Sequence, residues 1–381
     1  ITNTLTITSD DFFVCLDEGE GEVLSSDKMD LGIGRMTVST AEEANAMVEK
    51  LRSYYSSNSF GSWKTRATII ADDAENNETV HQVNAENMIA AQLEYSAEYL
   101  NIEKIYLDDY EQLYASTGNS YPDVNKAIID NINNGTLLLT WVGHGNPKSW
   151  AHENIFNMYS INSLQNKNKY PLIVTATCDY TPFDDHTIPT GGEMLFLAQN
   201  SGAIALLSTV RQVYSTKNER LVKNFYKYLF ETHLEENAGQ KPKTIGECVA
   251  LGKNETGDFN MRSFVLIGDP AITLSQPKYS VKTTKINGIN ASEFTDTIGA
   301  AGLVTIEGTI LDESGNPASN FNGTVFPSVY DKRNTYTTKG NDGYEPLTYT
   351  AQRNVIFNGK STVKDGTFKF SFIVPIDIAY Y

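Results

Sequence analysis

Short apolar runs alternate with amphipathic stretches over the first two thirds of the chain. The runs are almost continuously hydrophobic, as is typical of strands covered on both faces. Between them, apolar residues recur at the three- and four-residue spacing of a helix face, as at Leu221, Phe225 and Leu229. Strands that alternate with helices predict a largely parallel α/β sheet flanked by helices. The expected strands span residues 67–71, 137–142, 172–176, 203–207 and 264–267.

Four Thr-x-x-Glu sequences mark expected helix starts. In this pattern the threonine hydroxyl accepts from a backbone amide of the first turn, and the glutamate carboxylate accepts from the threonine amide. We predict a helix directly after each of these threonines, which are Thr40, Thr190, Thr216 and Thr244.

The pattern changes after residue 271 to period-two alternation with frequent turn sequences such as Asn322-Gly323 and Asp365-Gly366. This pattern predicts an all-β sandwich. Its last strand should direct Phe368, Phe370, Phe372 and Val374 inward. We therefore expect a lead-in subdomain over residues 1–60, an α/β domain over 61–279, and a β-sandwich over 280–381.

The net charge of the chain limits the kinds of molecule that it is expected to bind. The 381 residues include 30 Lys and Arg against 47 Asp and Glu, a net charge of -17. That balance repels phosphate backbones, so we expect no nucleic-acid partner. No apolar stretch has the length of a membrane-spanning helix. The chain begins without Met, and its last residues read as mid-strand, so we expect it to be a piece of a longer, secreted protein.

Three cysteines are widely separated, which disfavours a disulfide framework and a structural zinc site. Cys15 lies in an apolar run and Cys248 in a helical pattern, so both are expected to be buried. No two histidines have the His-Glu-x-x-His spacing of a catalytic metal site, and we predict no metal ligands. Cys178 differs because it follows the expected strand 172–176.

His144 is flanked by Gly143 and Gly145 and follows the expected strand 137–142. The carboxyl ends of parallel strands form the edge at which ligands bind. Two neighbouring strands would therefore bring the His144 imidazole to the Cys178 thiol, as a base beside a nucleophile. The flanking glycines would leave space for a substrate carbonyl, and the amides of Gly145 and Cys178 could stabilise the oxyanion.

Each of these residues alone has a structural interpretation. A cysteine that ends a strand can belong to the core, and a histidine between glycines can simply fill a turn. Their occurrence together, each at a strand end, favours catalysis. Among the other histidines, His81 is expected to open a helix, and His152 could line the site.

Several short motifs occur along the chain, including Gly143-His-Gly145, Thr175-Ala-Thr-Cys178, Asp10-Asp-Phe-Phe13, Ile70-Ala-Asp-Asp73, Phe183-Asp-Asp185 and Leu266-Ile-Gly-Asp-Pro270. Together they resemble the gingipain family of clan CD cysteine peptidases, and in particular its sortases of the type IX secretion system in Bacteroidetes. The resemblance implies a caspase-like sheet with His144 and Cys178 at its strand ends, followed by an immunoglobulin-like module.

The sortase resemblance implies removal of C-terminal sorting domains from secreted proteins at the outer-membrane surface. The new carboxyl end would pass to an amine of lipopolysaccharide, with water as the competing acceptor. Other secretion-system components would then be partners, and no cofactor would be required. Two alternatives stay open, a degradative gingipain-like protease and an inactive scaffold that binds cargo.

Gingipains orient the catalytic histidine with an acidic residue, and Asp73 or Glu75 could fill that role here, or could be solvated acids. Trp150 is expected to contact substrate. Three acidic residues after the cysteine, Asp184, Asp185 and Glu193, could hold a basic substrate side chain, bind a structural calcium ion, or lie on the surface.

Overall fold

The computed structural model describes residues 6–21, 26–74, 79–96, 99–116, 118–233 and 240–378. Contacts divide the chain into two compact units. The first comprises Ile1–Ser275 together with Thr337–Leu347, and the second comprises Gln276–Tyr336 and Thr348–Tyr381. This grouping differs from the predicted division in two ways: the lead-in is part of the first unit, and a short later segment returns to it.

The first unit is an α/β sandwich. Its strands are β1 Arg66–Ala71, β2 Asn101–Tyr106, β3 Leu138–Val142, β4 Gly145–Asn146, β5 Ser149–Trp150, β6 Leu172–Ala176, β7 Ala205–Thr209 and β8 Phe264–Ile267. Its helices are α1 Ala41–Tyr54, α2 Val80–Ser96, α3 Pro122–Asn134, α4 Met158–Asn162, α5 Gly191–Leu197, α6 Ser215–Phe230 and α7 Ile245–Thr256. Short 3-10 segments span Asp11–Val14, Ser57–Ser59, Ser62–Thr65, Leu107–Asp109, Glu231–His233 and Phe259–Ser263.

The main sheet has the order β2-β1-β3-β6-β7-β8. All neighbours pair in parallel except β8, which runs antiparallel to β7. The chain leaves β1 toward β2 on one side and returns to place β3 on the other. Strand order therefore reverses between β1 and β3, and such a switch point opens a crevice at the carboxyl ends of the strands.

The predicted α/β class is confirmed, and the buried strands match the apolar runs. Every residue of β3, β6, β7 and β8 is buried. Strand β2 was not predicted from the sequence, because it is a half-exposed edge strand with polar residues such as Glu103 and Lys104. β7 begins at Ala205, two residues later than expected. Among the described residues, none of the helices combines the length and apolarity needed to cross a bilayer.

Helix starts follow the predicted caps in three of four places. Thr40 and Thr244 form complete capping boxes, and the Thr190 hydroxyl accepts from the amide of Glu193. The prediction at Thr216 was wrong, because α6 begins two residues earlier, at Ser215, with Tyr214 at its N-cap. Asn260 Oδ1 accepts from the Tyr214 amide at 2.7 Å, so a distant side chain fixes that start.

The second unit is antiparallel. Its main sheet has the order β10-β9-β11-β18-β17-β12, and β13 pairs with β16 and β14 with β15. Phe368, Phe372 and Val374 are buried as predicted, and the half-buried Phe370 packs with them. The strands are β9 Ser280–Ile286, β10 Ile289–Asn290, β11 Leu303–Leu311, β12 Gly323–Val325, β13 Ser328–Tyr330, β14 Asn334–Thr337, β15 Thr348–Ala351, β16 Val355–Asn358, β17 Ser361–Lys364 and β18 Thr367–Ile373.

The returning segment Thr337–Leu347 is held in the first unit by one buried carboxylate. Asp108 Oδ2 accepts from the amide of Gly340 at 2.9 Å, and its Oδ1 accepts from the amide of Asn341 at 2.7 Å. The Asp108 carbonyl also accepts from Lys339 N at 2.7 Å. Asn341 Nδ2 then donates to the Tyr121 hydroxyl at 3.1 Å.

We expect Asp108→Ala to loosen this segment, because it removes both carboxylate acceptors and leaves two amides without partners. The loss should destabilise the unit by about 2–3 kcal/mol. Hydrogen exchange read by mass spectrometry should show the amides of Gly340 and Asn341 exchanging at least about tenfold faster. The exposed Glu111→Ala is the matched control. Unchanged exchange in Asp108→Ala would contradict the assignment.

Candidate active site

Sheet register brings His144 and Cys178 to one edge. Val142, at the end of β3, pairs with Ala176, at the end of β6. His144 and Cys178 each follow two residues later, so they leave neighbouring strands at the same level of the carboxyl edge. The amide of Gly143 donates to the Ala176 carbonyl at 3.4 Å and carries the pairing one step past the strands.

The backbone of His144 is fixed on both sides. Its amide donates to Asp72 Oδ2 at 2.7 Å. Its carbonyl accepts from Trp141 Nε1 at 3.1 Å and from the amide of Ala151 at 2.9 Å. Asp72 is wholly buried directly after β1, so three strand ends contribute to the position of this histidine.

Both glycines beside His144 are required by close approach. A Cβ at Gly143 would lie 2.5 Å from Trp141 and 2.6–2.7 Å from Asp72, and one at Gly145 would lie 2.6 Å from Thr177 Oγ1. These distances are shorter than real Cβ atoms tolerate. We expected the glycines to make room for a substrate carbonyl, but packing of the crevice wall already requires them.

Cys178 lies in a sharp turn directly after β6. The next residue, Asp179, has φ of 46°, a left-handed conformation that costs a non-glycine residue energy and marks functional turns. The Val213 amide donates to Cys178 Sγ at 3.4 Å, and Sγ lies 3.5 Å from the Val213 carbonyl. Burial raises the pKa of the Cys178 thiol, the Val213 backbone opposes that rise, and Asp179 adds to it.

The other two cysteines lie in non-reactive surroundings. Cys248 is fully buried, and burial raises its pKa to about 12. Cys15 is half-buried rather than buried, and its Sγ donates to the Asp11 carbonyl at 3.3 Å. Burial raises the Cys15 pKa as well. Cys178 is the one of the three that lies at the carboxyl edge of the sheet.

Two further imidazoles surround His144. The ring of His81, in the first turn of α2, lies 4.9 Å from the His144 ring between centroids, at 82°. The ring of His152 lies 4.8 Å away on a tilt of 41°. Burial, and then the charge of His144, lower the pKa of His81 to about 4. His152 is one of the residues expected to line the site, whereas His81 is expected only to open a helix, and nothing in the sequence links it to His144, 63 residues later.

The acidic residues after β1 are only partly as expected. Asp73 is buried and accepts from the Tyr121 hydroxyl at 2.6 Å. Burial and the charge of Asp73 raise the pKa of Tyr121. The carboxylate that contacts His144 through its backbone is Asp72, which the sequence did not single out. Glu75 lies outside the described residues, and the role of Asp73 as the orienting acid stays a prediction.

Trp150 lies in β5, close after His144, and its expected contact with substrate stays a prediction. Its side chain is wholly buried and stacks on Trp141 with ring centroids 5.2 Å apart at 4°. Phe156 and Tyr180 pack against the same indole. Trp150 therefore supports the hairpin of β4 and β5 that follows His144, and its side chain is not exposed to solvent.

Three other acids have partners of their own. Asp184 is bound by both terminal nitrogens of Arg211 and by the Thr8 hydroxyl at 2.6 Å, and the Arg211 bond lowers its pKa to about 2. Asp185 accepts from Thr187 within its own loop. Glu193 lies in the first turn of α5, where Thr190 Oγ1 contacts its carboxylate at 2.7 Å.

A model of peptidase family C25 matches residues 2–275, which is most of the chain. The chain belongs to that family. Gingipain R1 of Porphyromonas gingivalis is 24% identical over 373 residues, an alignment that covers 89% of this chain and 35% of that protein. The chain therefore spans about a third of the length of that curated relative.

Solved structures agree on the fold. The Arg-specific cysteine proteinase gingipain R covers 98% of this chain and 73% of its own, with a TM-score of 0.56 at 19% identity. Dimeric latent PorU from Porphyromonas gingivalis also covers 98% of this chain, but 29% of its own, at a TM-score of 0.32 and 20% identity. That score is too low to indicate a shared arrangement, so the sortase resemblance rests on sequence motifs.

We expect Gly143→Ala to impair catalysis while leaving the fold intact. The added methyl group would displace Asp72 and with it the His144 amide, and misplacement by about 1 Å typically costs on the order of a hundredfold in rate. The measurement is kcat/KM on a peptide substrate. Gly299→Ala is the matched control, because a Cβ there meets no atom within 4 Å. A Gly143→Ala enzyme with unchanged kcat/KM would refute this role of Asp72.

Proposed function

We propose that the chain is a cysteine endopeptidase in which Cys178 is the nucleophile and His144 its base. The supporting observation is the β3–β6 register, which brings both residues to one level of the crevice edge. The crevice lies beside the switch point of the sheet, where α/β proteins bind ligands. Members of this family with a solved fold include a cysteine proteinase.

The reaction begins from an uncharged thiol, because burial raises the pKa of Cys178. His144 takes the thiol proton as Sγ attacks the peptide carbonyl, and the new C–S bond leaves an oxyanion. The amides of Gly145 and Cys178 would stabilise that oxyanion. His144 then gives the proton to the leaving amine as the C–N bond breaks, and a thioester on Cys178 remains.

The thioester can pass to water or to an amine, and this choice separates a protease from a sortase. We assign the chain to the sortase class, acting on the C-terminal sorting domains of secreted proteins at the bacterial surface, with lipopolysaccharide as acceptor. The motifs of the sequence support this assignment. The proposal needs no cofactor, and a calcium ion would have a structural role.

The acidic residues weaken the alternative of a degradative enzyme with a basic preference. Asp184 is paired with Arg211, and Glu193 contacts the N-cap residue of its own helix. A carboxylate already bound to a guanidinium offers little to a substrate arginine. Asp185 is engaged with Thr187 in its own loop.

The dyad can be tested by substitution and labelling. We expect Cys178→Ala and His144→Ala each to lower kcat/KM by at least about a thousandfold, and the double variant to be no worse, because the two residues act as a unit. A peptide chloromethyl ketone should alkylate Cys178 alone by mass. Cys15→Ser is the control and should be labelled normally. Labelling of Cys15 or Cys248 in an active Cys178→Ala enzyme would end the assignment, and an unlabelled, inactive chain would favour the scaffold.

The sortase class can be tested by partition of the acyl-enzyme. With rising concentrations of an amine acceptor, we expect the amine-coupled product to exceed the hydrolysed product, since a deprotonated amine is a better nucleophile than water. The readout is the ratio of the two products by mass. Papain under the same conditions is the control. A coupled fraction no higher than that of papain would reject the sortase class and favour the degradative protease.

A further inference from the structure

Two histidine side chains that the peptidase mechanism does not use lie beside His144. Proton transfer with Cys178 requires one histidine, yet the rings of His81 and His152 lie 4.9 Å and 4.8 Å from that of His144. His81 is brought there by the first turn of α2, which begins at Val80 on the far side of the loop that carries Asp72 and Asp73. The mechanism gives His81 no task.

Asp72 completes a set of three potential ligands. One carboxylate oxygen of Asp72, one ring nitrogen of His81 and one of His144 all lie within 4.8 Å of one another. Carboxylate oxygens of Asp73 and Glu153 lie equally close to Asp72. Two further carboxylates therefore lie near Asp72, and their negative charge would offset part of the cost of burying a cation there.

One ring nitrogen of His81 is buried and accepts or donates no hydrogen bond within the described part of the chain. Its side chain is 7% exposed, and Nδ1 has no hydrogen-bond partner among the described residues. A buried polar atom without a partner destabilises a protein, and such atoms in native proteins usually bind an ion or an ordered water. The unpaired Nδ1 of His81, together with the cluster of potential ligand atoms, therefore points to a bound ligand at this position.

We infer that Asp72, His81 and His144 bind one divalent transition-metal ion of the zinc type, and that the bound ion inhibits the enzyme. This inference rests on the proposed function only for its second half. Two imidazoles and a carboxylate suit zinc, whereas calcium and magnesium prefer oxygen ligands.

The geometry agrees with a zinc site. Two imidazoles bound to one tetrahedral zinc ion at about 2.0–2.1 Å have ring centres about 5 Å apart. The ring centres of His81 and His144 are 4.9 Å apart. To reach bonding distance of one ion, the three ligand atoms must each move by roughly 1 Å. Rotation of the side chains supplies that movement.

A bound metal ion would inhibit the enzyme because it would occupy the lone pair of the His144 imidazole. A metal ion bound to an imidazole nitrogen occupies the electron pair that would otherwise accept the proton of Cys178. Binding is reversible and changes no covalent bond, so removal of the ion would restore the base. The ion is therefore a regulator of the catalytic histidine and takes no part in the chemical step.

The test measures binding separately from activity. Isothermal titration with ZnCl2 uses the Cys178→Ala chain, which lacks the thiol that could bind zinc on its own. We expect one zinc ion per chain, and an excess of CaCl2 should not displace it. Adding His81→Gln should weaken zinc binding at least about tenfold, since loss of outer-sphere partners alone costs 10–100-fold. Adding the exposed His186→Gln is the matched control and should change nothing.

A second arm uses the active enzyme. His81→Gln should raise the zinc concentration for half inhibition at least about tenfold, each variant being compared with its own metal-free rate. If His81→Gln does not fold, anomalous diffraction at the zinc edge from Cys178→Ala crystals replaces it, and the peak should lie between His81 and His144.

Each outcome has one interpretation. Equal zinc affinity with and without His81→Gln, no zinc binding by the Cys178→Ala chain, or an anomalous peak elsewhere would overturn the site. Zinc bound at His81 by a wild-type chain that has no peptidase activity would support the site and refute the proposed function. An active enzyme that binds zinc without inhibition would refute the regulatory half.

Discussion

One hydrogen bond organises the crevice, the 2.7 Å bond from the His144 amide to Asp72 Oδ2. Asp72 ends the first strand of the sheet and His144 follows the third, so the bond closes the switch point between them. Because Asp72 is wholly buried, its carboxylate depends on such donors, and separating it from the amide would be costly. The same contact explains the close approach at Gly143, where a Cβ would lie 2.6–2.7 Å from Asp72.

Burial shifts the pKa values of ionisable groups at the carboxyl edge of the sheet. It raises the pKa of Cys178 and lowers that of His81 to about 4, so both groups are neutral at neutral pH. A neutral thiol needs a base at the moment of attack, and a neutral imidazole has a lone pair to offer. The burial that keeps His81 neutral thus also leaves beside His144 a second imidazole that can bind a metal ion. Catalysis and inhibition would compete for one nitrogen.

Local patterns in the sequence predicted much of the fold because they report local physics. Apolar runs identified strands β1, β3, β6 and β8 within two residues of their ends, since a strand buried on both faces cannot carry polar side chains. The pattern failed at β2, an edge strand in which Glu103 is exposed and Lys104 pairs with Glu86. It also misplaced the start of α6, which Asn260 fixes through the amide of Tyr214 across a gap of 46 residues. Contacts of that kind leave no local signal.

That a histidine and a cysteine each follow a buried strand is evident from the sequence, because strand and turn are local properties of Gly143-His-Gly145 and Thr175-Ala-Thr-Cys178. The side chains that lie around them depend on tertiary contacts. Folding buried Trp150 on Trp141, paired Asp184 with Arg211, and gave Asp72 rather than Asp73 the His144 amide. It also placed His81 beside His144, which strand order determines and spacing along the chain does not encode.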